Sequence, residues 1–249
     1  MSGSHRRRPR WSLWLLSLIA VVGLALGTVP AHASPLPPLP RDALSAVAQV
    51  GPSIVDIDTK MAYQSAVGAG TGIVIGPSTV LTNNHVIAGA TDLSVRSIGN
   101  GQTFPATVVG FDRSHDIAVV QLGGGGLQPA NIGNSDTVTV GEPIVSMGNA
   151  GGVGGTPSAV EGRVAALNQT VSASDALTGS TETLNGLIQV DAAIRPGDSG
   201  GPTVNPANQV IGMNTAASEN FHLGRGQGFA IPINEAMAIA RQIEGVPNR

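Results

Sequence analysis

Cysteine is absent from this 249-residue sequence, and aromatic residues make up only 3% of it. Without a thiol the chain can form no disulfide bond, no zinc–thiolate site and no thiol nucleophile. Its stability must therefore come from packing of apolar residues, which are 41% of the sequence. That share, at this length, suffices for a sizeable core in one large domain or two small ones.

Lysine is nearly absent as well, because Lys60 is the only one in the chain. The glycine-rich stretches 123–126 and 148–155 therefore do not match a phosphate loop, which needs the pattern G-x-x-x-x-G-K-[ST]. The stretch 68–72 lacks the spacing and the following helix of a dinucleotide fingerprint. We interpret the stretches 123–126 and 148–155 as loops, and we expect no nucleotide, no metal and no organic cofactor.

The first 33 residues have the composition of a secretory signal peptide. Four arginines among residues 6–10 precede an uncharged apolar run at 11–27, and Ala31-His32-Ala33 is a small-x-small cleavage site. Cleavage there would make Ser34 the new N-terminus. The alternative is an uncleaved anchor, because the run is at the lower limit for spanning a bilayer. The arginines also fit twin-arginine export, although the rest of that motif is not evident.

Removal of residues 1–33 leaves 9 basic and 16 acidic residues, a net charge of −7. That balance argues against nucleic acid or an anionic membrane as a partner. An exported chain that has no cysteine is more typical of bacteria.

The rest of the chain has the pattern of an all-β protein. Its 34 glycines and 17 prolines separate short apolar runs, which indicates a β-sandwich or a pair of barrels. Residues 34–41 are a Pro-rich linker, and 42–50 predict a short helix with Asp42 as its N-cap. A last helix is predicted at 234–244, capped by Asn234. The predicted strands are 53–57, 71–75, 80–82, 107–109, 117–122, 143–147, 162–167, 186–190, 201–204, 209–214 and 228–231.

The sequence Gly197-Asp198-Ser199-Gly200-Gly201-Pro202 carries the strongest chemical signal. A serine hydroxyl needs a tight exposed turn, a base, and nearby N–H donors for the developing oxyanion. The flanking glycines let the backbone aim the N–H groups of Gly197 and Ser199 at one point. The run is the active-site signature of chymotrypsin-like serine proteases; the alternative is a Gly/Pro turn with an incidental serine.

The base for this serine is expected to be a histidine, whose pKa lies near neutral pH. His85 follows an apolar strand, His115 precedes Asp116, and His222 lies in a polar loop. If residues 114–120 form a strand, His115 and Asp116 point to opposite faces and cannot pair. His85 is then the preferred base if Asp116 is the acid.

Asp116 opens the apolar run 117–120, where a buried carboxylate needs a partner. The His85 imidazole would provide one and would be fixed in one tautomer. Alternatively, Asp116 only caps a turn. Asp112 is the rival acid, but we expect it to pair with Arg113 at the surface.

The order His, Asp, Ser and these local sequences resemble the HtrA/DegP group of trypsin-like serine proteases, and most closely its secreted PepA-type members in mycobacteria and related actinobacteria. Further matching stretches lie at 191–197, 212–216 and 228–232, and the likeness runs from about 43 to 243. The resemblance implies two perpendicular six-stranded β-barrels, at about 53–135 and 136–233, within a protease domain at 42–244. It leaves residues 245–249 as a tail.

The resemblance also implies a function and a substrate site. It implies endopeptidase action on unfolded polypeptides by His85, Asp116 and Ser199, with backbone pairing of substrate along Asn214, Thr215 and Ala216. In the chymotrypsin arrangement the residue six before the serine, here Ala193, lines the base of the S1 pocket. We therefore expect small or medium apolar P1 residues.

Three departures from the family pattern carry expectations of their own. The sequence stops soon after the last helix, so a PDZ domain is absent or the sequence is a truncated product. Asp198 stands where many members have asparagine and needs a partner, for which Arg195 or Arg163 is the candidate. Tyr63 is the only aromatic residue between the signal segment and Phe104, which favours a monomer over a trimer built on N-terminal aromatics.

Overall fold

A computed structural model describes residues 41–61, 66–174, 181–215 and 227–245. The predicted signal peptide, most of the linker, Tyr63, Ala216 and His222 lie outside these ranges. The described residues form twelve strands in two closed six-stranded barrels, with a helix at each end of the described chain. This confirms the fold class expected from the sequence.

The N-terminal barrel has the strand order β1-β2-β3-β6-β5-β4, with every pair antiparallel. Its strands are β1 Ile54–Met61, β2 Ala66–Gly76, β3 Thr79–Thr82, β4 Asp92–Ser97, β5 Thr103–Asp112 and β6 Ile117–Leu122. No predicted run covers β4, because only Leu93 and Val95 of its six residues are apolar and buried.

The C-terminal barrel repeats this plan with the order β10-β11-β12-β9-β8-β7. Its strands are β7 Pro143–Gly148, β8 Ser158–Ser174, β9 Thr181–Val190, β10 Pro202–Val204, β11 Val210–Thr215 and β12 Gly228–Pro232. β8 and β9 are much longer than predicted, since polar residues continue their antiparallel ladder beyond the apolar core as far as Ser174 and Thr181.

Three helices accompany the barrels: α1 Arg41–Val50, the single turn α2 Asn84–Ile87, and α3 Ile233–Ile243. Helices α1 and α3 both begin one or two residues earlier than predicted. Asp42 and Asn234 therefore lie inside these helices, and neither is an N-cap. Asn234 instead donates from Nδ2 to Asn134 Oδ1 at 2.7 Å. The Glu161 carboxylate, from β8, accepts a hydrogen bond from the Ala43 N–H at 3.0 Å and satisfies a donor in the first turn of α1.

Alternation along the strands sends side chains into different cores. In β6, Ala118 and Val120 fill the N-terminal barrel, whereas Ile117 and Val119 face the other way. The second set joins Met147 and other residues of the C-terminal barrel in a core between the barrels. The candidate site lies along this junction.

Candidate active site

His85 is held by Asp116 at two points. The Asp116 carboxylate accepts the His85 backbone N–H at Oδ1 (2.9 Å) and contacts the ring Nδ1 at Oδ2 (2.8 Å). Thr215 Oγ1 donates to the same Oδ2 at 3.3 Å. The Asp116 side chain is only 4% exposed, whereas that of His85 is 41% exposed. The buried carboxylate therefore orients the imidazole ring, while part of the His85 side chain is accessible to solvent.

The backbone around Asp116 produces this arrangement. Asp116 has a left-handed φ of 55°, which is uncommon for a residue with a side chain. Its carbonyl accepts hydrogen bonds from the Asn84 N–H (3.2 Å) and from Asn83 Nδ2 (3.0 Å). The turn before β6 is thus fastened to the first residues of α2, which brings Asp116 and His85 together.

His115 and Asp112 form a separate surface pair. His115 Nδ1 lies 2.8 Å from Asp112 Oδ2, and the Ser114 hydroxyl donates to Asp112 Oδ1 at 2.6 Å. Burial acts to raise the pKa of Asp112, but the hydrogen bonds from Ser114 and His115 outweigh it and lower that pKa. The expected Asp112–Arg113 pair is wrong, because the Arg113 guanidinium lies over the Phe111 ring.

The condition that residues 114–120 form a strand is not met, since β6 begins at Ile117, where the predicted strand 117–122 also begins, and 113–116 form a turn. His115 and Asp116 are separated by this turn and not by strand alternation.

The loop that carries Ser199 is packed too tightly for side chains at its glycines. A Cβ on Gly200 would lie 2.0 Å from the Thr71 carbonyl oxygen, and one on Gly197 would lie 2.1 Å from the Asn149 carbonyl oxygen. Both residues also have left-handed φ values, of 84° and 96°. The glycines flanking the serine are therefore required by space as well as by backbone conformation.

Each carbonyl of this loop next to an expected oxyanion donor has a partner. Pro196 O accepts from the Gly151 N–H at 2.9 Å, and Ser199 O accepts from the Thr71 N–H at 2.8 Å. Gly197 O accepts from the Thr71 hydroxyl at 2.7 Å. Because a trans peptide places its N–H opposite its carbonyl, the Gly197 N–H points away from Gly151.

Comparison with known proteins shows the family of this chain. The sequence pattern of the trypsin-like peptidase domain matches residues 70–213, which span β2 to β11. The chain belongs to the trypsin-like peptidase family.

Within the family, this trypsin-like chain resembles HtrA-type proteases. It is 38% identical to serine protease PepD of Mycobacterium tuberculosis over 90% of this chain and 52% of the relative. It is 36% identical to a probable periplasmic serine endoprotease DegP-like of Pseudomonas savastanoi over 70% of this chain and 34% of that relative. The chain thus spans about half and about a third of these relatives.

A solved structure shares the trypsin-like architecture. The HtrA-type protease AlgW with tripeptide superposes with a TM-score of 0.69 at 31% identity, covering 82% of this chain and 64% of that one.

Asp198, the residue before the serine, has partners other than the expected arginine side chains. Its carboxylate accepts from the Ser158 hydroxyl at 2.8 Å and from the Arg195 backbone N–H at 2.9 Å. Arg163 donates instead to the Gly141 carbonyl, at 2.9 Å. Burial raises the pKa of Asp198, and the two hydrogen bonds and the Arg195 charge oppose that rise. Ser158 is the partner that sequence reasoning missed.

Asn214 supports the serine loop. Its N–H donates to Gly201 O at 2.7 Å and its carbonyl accepts from the Gly200 N–H at 2.9 Å. Its side chain is buried and donates to Met147 O. Pairing of a substrate backbone along Asn214, Thr215 and Ala216 stays a prediction.

Ile194, the neighbour of Ala193 in sequence, contacts the first residue of β12. A Cβ on Gly228 would lie 2.6 Å from two side-chain carbons of Ile194, so this side chain covers the start of β12. Ala193 beside it is half-buried. Ala193, which the family resemblance assigns to the base of S1, therefore has an apolar neighbour that packs on β12.

No group of three or more His, Asp or Glu side chains within the described ranges could hold a metal ion. None of the helices in the described part of the chain is long and apolar enough to cross a bilayer.

Proposed function

We propose that this protein is a secreted serine endopeptidase with His85, Asp116 and Ser199 as its catalytic triad. The double contact of Asp116 with His85 is the observation that carries the proposal. Because Nδ1 faces the carboxylate, we assign Nε2 as the ring nitrogen that accepts a proton from Ser199.

The proposed reaction follows the acyl-enzyme route. Ser199 Oγ attacks the scissile carbonyl while His85 takes its proton, and Asp116 stabilises the imidazolium that forms. The N–H groups of Gly197 and Ser199 stabilise the tetrahedral oxyanion. His85 then protonates the leaving amine, and water releases the acyl group.

Labelling with a fluorophosphonate tests the nucleophile directly. Wild type is expected to gain one adduct at Ser199, detected by peptide mass spectrometry. Ser199→Ala is expected to lose labelling and to lower turnover of an unfolded casein by about 10⁴–10⁶-fold. Ser172→Ala, at an exposed serine of β8, is the matched control and should keep both. Equal turnover by wild type and Ser199→Ala would show that Ser199 is not the nucleophile.

Small or medium apolar P1 residues are the proposed preference. Ala193 offers no charge to a basic side chain, and the Ile194 side chain narrows the same region. A peptide series differing only at P1 should give higher kcat/KM for Ala or Val than for Arg or Lys. Preferred cleavage after arginine would contradict this assignment.

We also propose that the N-terminal segment directs export of the protein. The exported protein is proposed to be a monomer that acts on polypeptides and binds neither nucleic acid nor membranes. The basic start, the apolar run and the small-x-small site support it. Protein recovered from the medium or cell envelope of a bacterial host should begin at Ser34 by N-terminal sequencing. Retention of residues 1–33 would favour the anchor instead.

A further inference from the structure

Thr71 lies in β2 of the N-terminal barrel and is fully buried. Its backbone N–H donates across the barrel junction to Ser199 O at 2.8 Å. Its carbonyl accepts from the Thr82 hydroxyl at 2.7 Å. The residue is therefore fixed within its own barrel and reaches the nucleophile loop of the other one.

The Thr71 hydroxyl makes two further bonds to the C-terminal barrel. It donates to Gly197 O at 2.7 Å and accepts from the Asn149 N–H at 2.9 Å. A hydroxyl has one hydrogen to donate and lone pairs to accept with, so both functions are used at once. Neither a methyl group nor an ammonium group could make this pair of contacts.

Asn149 begins the tight turn that binds the Pro196–Gly197 peptide. The Gly152 N–H donates to Asn149 O at 2.8 Å, and Gly151 presents its N–H to Pro196 O at 2.9 Å. The Thr71 hydroxyl thus acts on both sides of Gly197. It binds the Gly197 carbonyl directly, and through Asn149 it places the turn that binds the Pro196 carbonyl.

Glycine at position 197 makes this control necessary. Gly197 has a φ of 96°, and a glycine can turn its adjoining peptides without a side-chain penalty. Reversal of the Pro196–Gly197 peptide would replace the N–H donor by a carbonyl oxygen, which repels a developing oxyanion.

We propose that Thr71 is a positioning residue for the oxyanion hole, whose hydroxyl holds the Gly197 N–H in its working direction. The inference rests on the proposed serine-endopeptidase function. Because Thr71 does not touch the substrate, its effect should fall mainly on kcat, where the oxyanion forms, and little on KM.

Thr71→Val removes the hydroxyl at nearly constant shape. It is expected to lower kcat by about 10–100-fold, less than the loss of an oxyanion donor itself, with KM changed less than about 3-fold. Affinity for a peptide aldehyde, whose hemiacetal oxygen sits in the oxyanion hole, should fall in parallel with kcat/KM. Thr71→Ser keeps the hydroxyl and should stay within about 3-fold of wild type.

Thr59→Val is the matched control. Thr59 is another fully buried threonine of the same barrel, and its hydroxyl has no hydrogen-bond partner. This variant should retain wild-type kcat and aldehyde affinity. If Thr71→Val does not fold, Thr71→Ala can be compared with Thr71→Ser, because both lack the γ-methyl and differ only in the hydroxyl.

Unchanged kcat in Thr71→Val, or equal losses in Thr71→Ser and Thr71→Ala, would overturn the role of the hydroxyl. If wild type is labelled at Ser199 but Thr71→Val has the same kcat as wild type, this inference is removed and the proposed function stands. Wild type that is neither labelled nor active would remove both.

Discussion

At the scale of single residues, Asp56 is a carboxylate with little access to water. It lies in β1 at 4% exposure, and its Oδ2 makes no hydrogen bond. Burial raises its pKa to about 6, with help from the negative charge of Asp58, while the Gly155 amide and the Arg96 charge oppose the rise. The folded protein therefore binds a proton at Asp56 more tightly than the unfolded chain does.

This raised pKa predicts that Asp56 costs stability as the pH rises. Below the unfolded pKa near 3.8 the carboxyl is neutral in both states and costs nothing. Between pH 4 and 6 the unfolded chain gives up the proton first, so the free energy of unfolding falls. Above the folded pKa the penalty is complete, at about 3 kcal/mol.

Asp56→Asn should remove this dependence, because asparagine keeps the shape without a charge. The variant's advantage in free energy of unfolding is expected to grow from pH 4 to 6.5 and then level off, as measured by urea denaturation. Asp136→Asn, at an exposed position, should follow the wild-type profile. An advantage of Asp56→Asn that does not change with pH would contradict the assignment.

At the scale of elements, β2 depends on a glycine at its contact with the barrel core. A Cβ on Gly72 would lie 2.4 Å from Val80 Cγ1 and 2.9 Å from Val55 Cγ2. Both valines are fully buried in the core of the N-terminal barrel. The valine side chains of the neighbouring strands therefore fit in the core only because residue 72 has no side chain.

Gly72→Ala is expected to lower the free energy of unfolding by about 1–3 kcal/mol, because one added methyl overpacks the barrel. Gly51→Ala is the matched control: Gly51 has nothing within 4 Å of the added Cβ and no left-handed φ. Its change should stay within about 0.5 kcal/mol. Chemical denaturation of both variants under one condition gives the comparison, and equal losses would contradict the packing argument.

At the scale of the whole molecule, each terminal helix contacts the barrel that is not next to it in the sequence. α1 precedes the N-terminal barrel and packs on β7 and β8 of the other one, whereas α3 follows the C-terminal barrel and packs on β5 and β6 as well as on β11 and β12 of its own barrel. The core between the barrels draws Ile73 and Leu81 from one and Met147 and Met213 from the other. Separation of the barrels would expose this core and break the contacts of α3 with one of them.

We therefore predict that the two barrels unfold as one unit. Hydrogen exchange followed by mass spectrometry across a urea series should give one shared free energy for the slowest amides of β1–β6 and of β7–β12. Two separate plateaus, one for each barrel, would contradict it.

How far the sequence reaches is clearest at the site. Ser199, its glycines and the pairing of Asp116 with His85 could be predicted because local chemistry demands them: a nucleophile needs a tight turn, and a buried acid needs a partner. The left-handed turn at Asp116 and the Ser158 partner of Asp198 could not, since both depend on segments far apart in the chain. The sequence did not predict β4, because only two apolar residues, Leu93 and Val95, carry its alternation of buried and exposed positions.

By itself the sequence determined the all-β class, the family and the residue types that the chemistry needs, since these follow from turn residues, short apolar runs and local motifs. The tertiary structure decided which backbone groups are already in use. The backbone of Asn214 holds the serine loop, and Thr71, which gave no signal in the sequence, connects both barrels at Gly197. Hydrogen bonds such as that between Thr71 and Gly197, which are 126 residues apart, are set by how the barrels pack, and no local pattern encodes them.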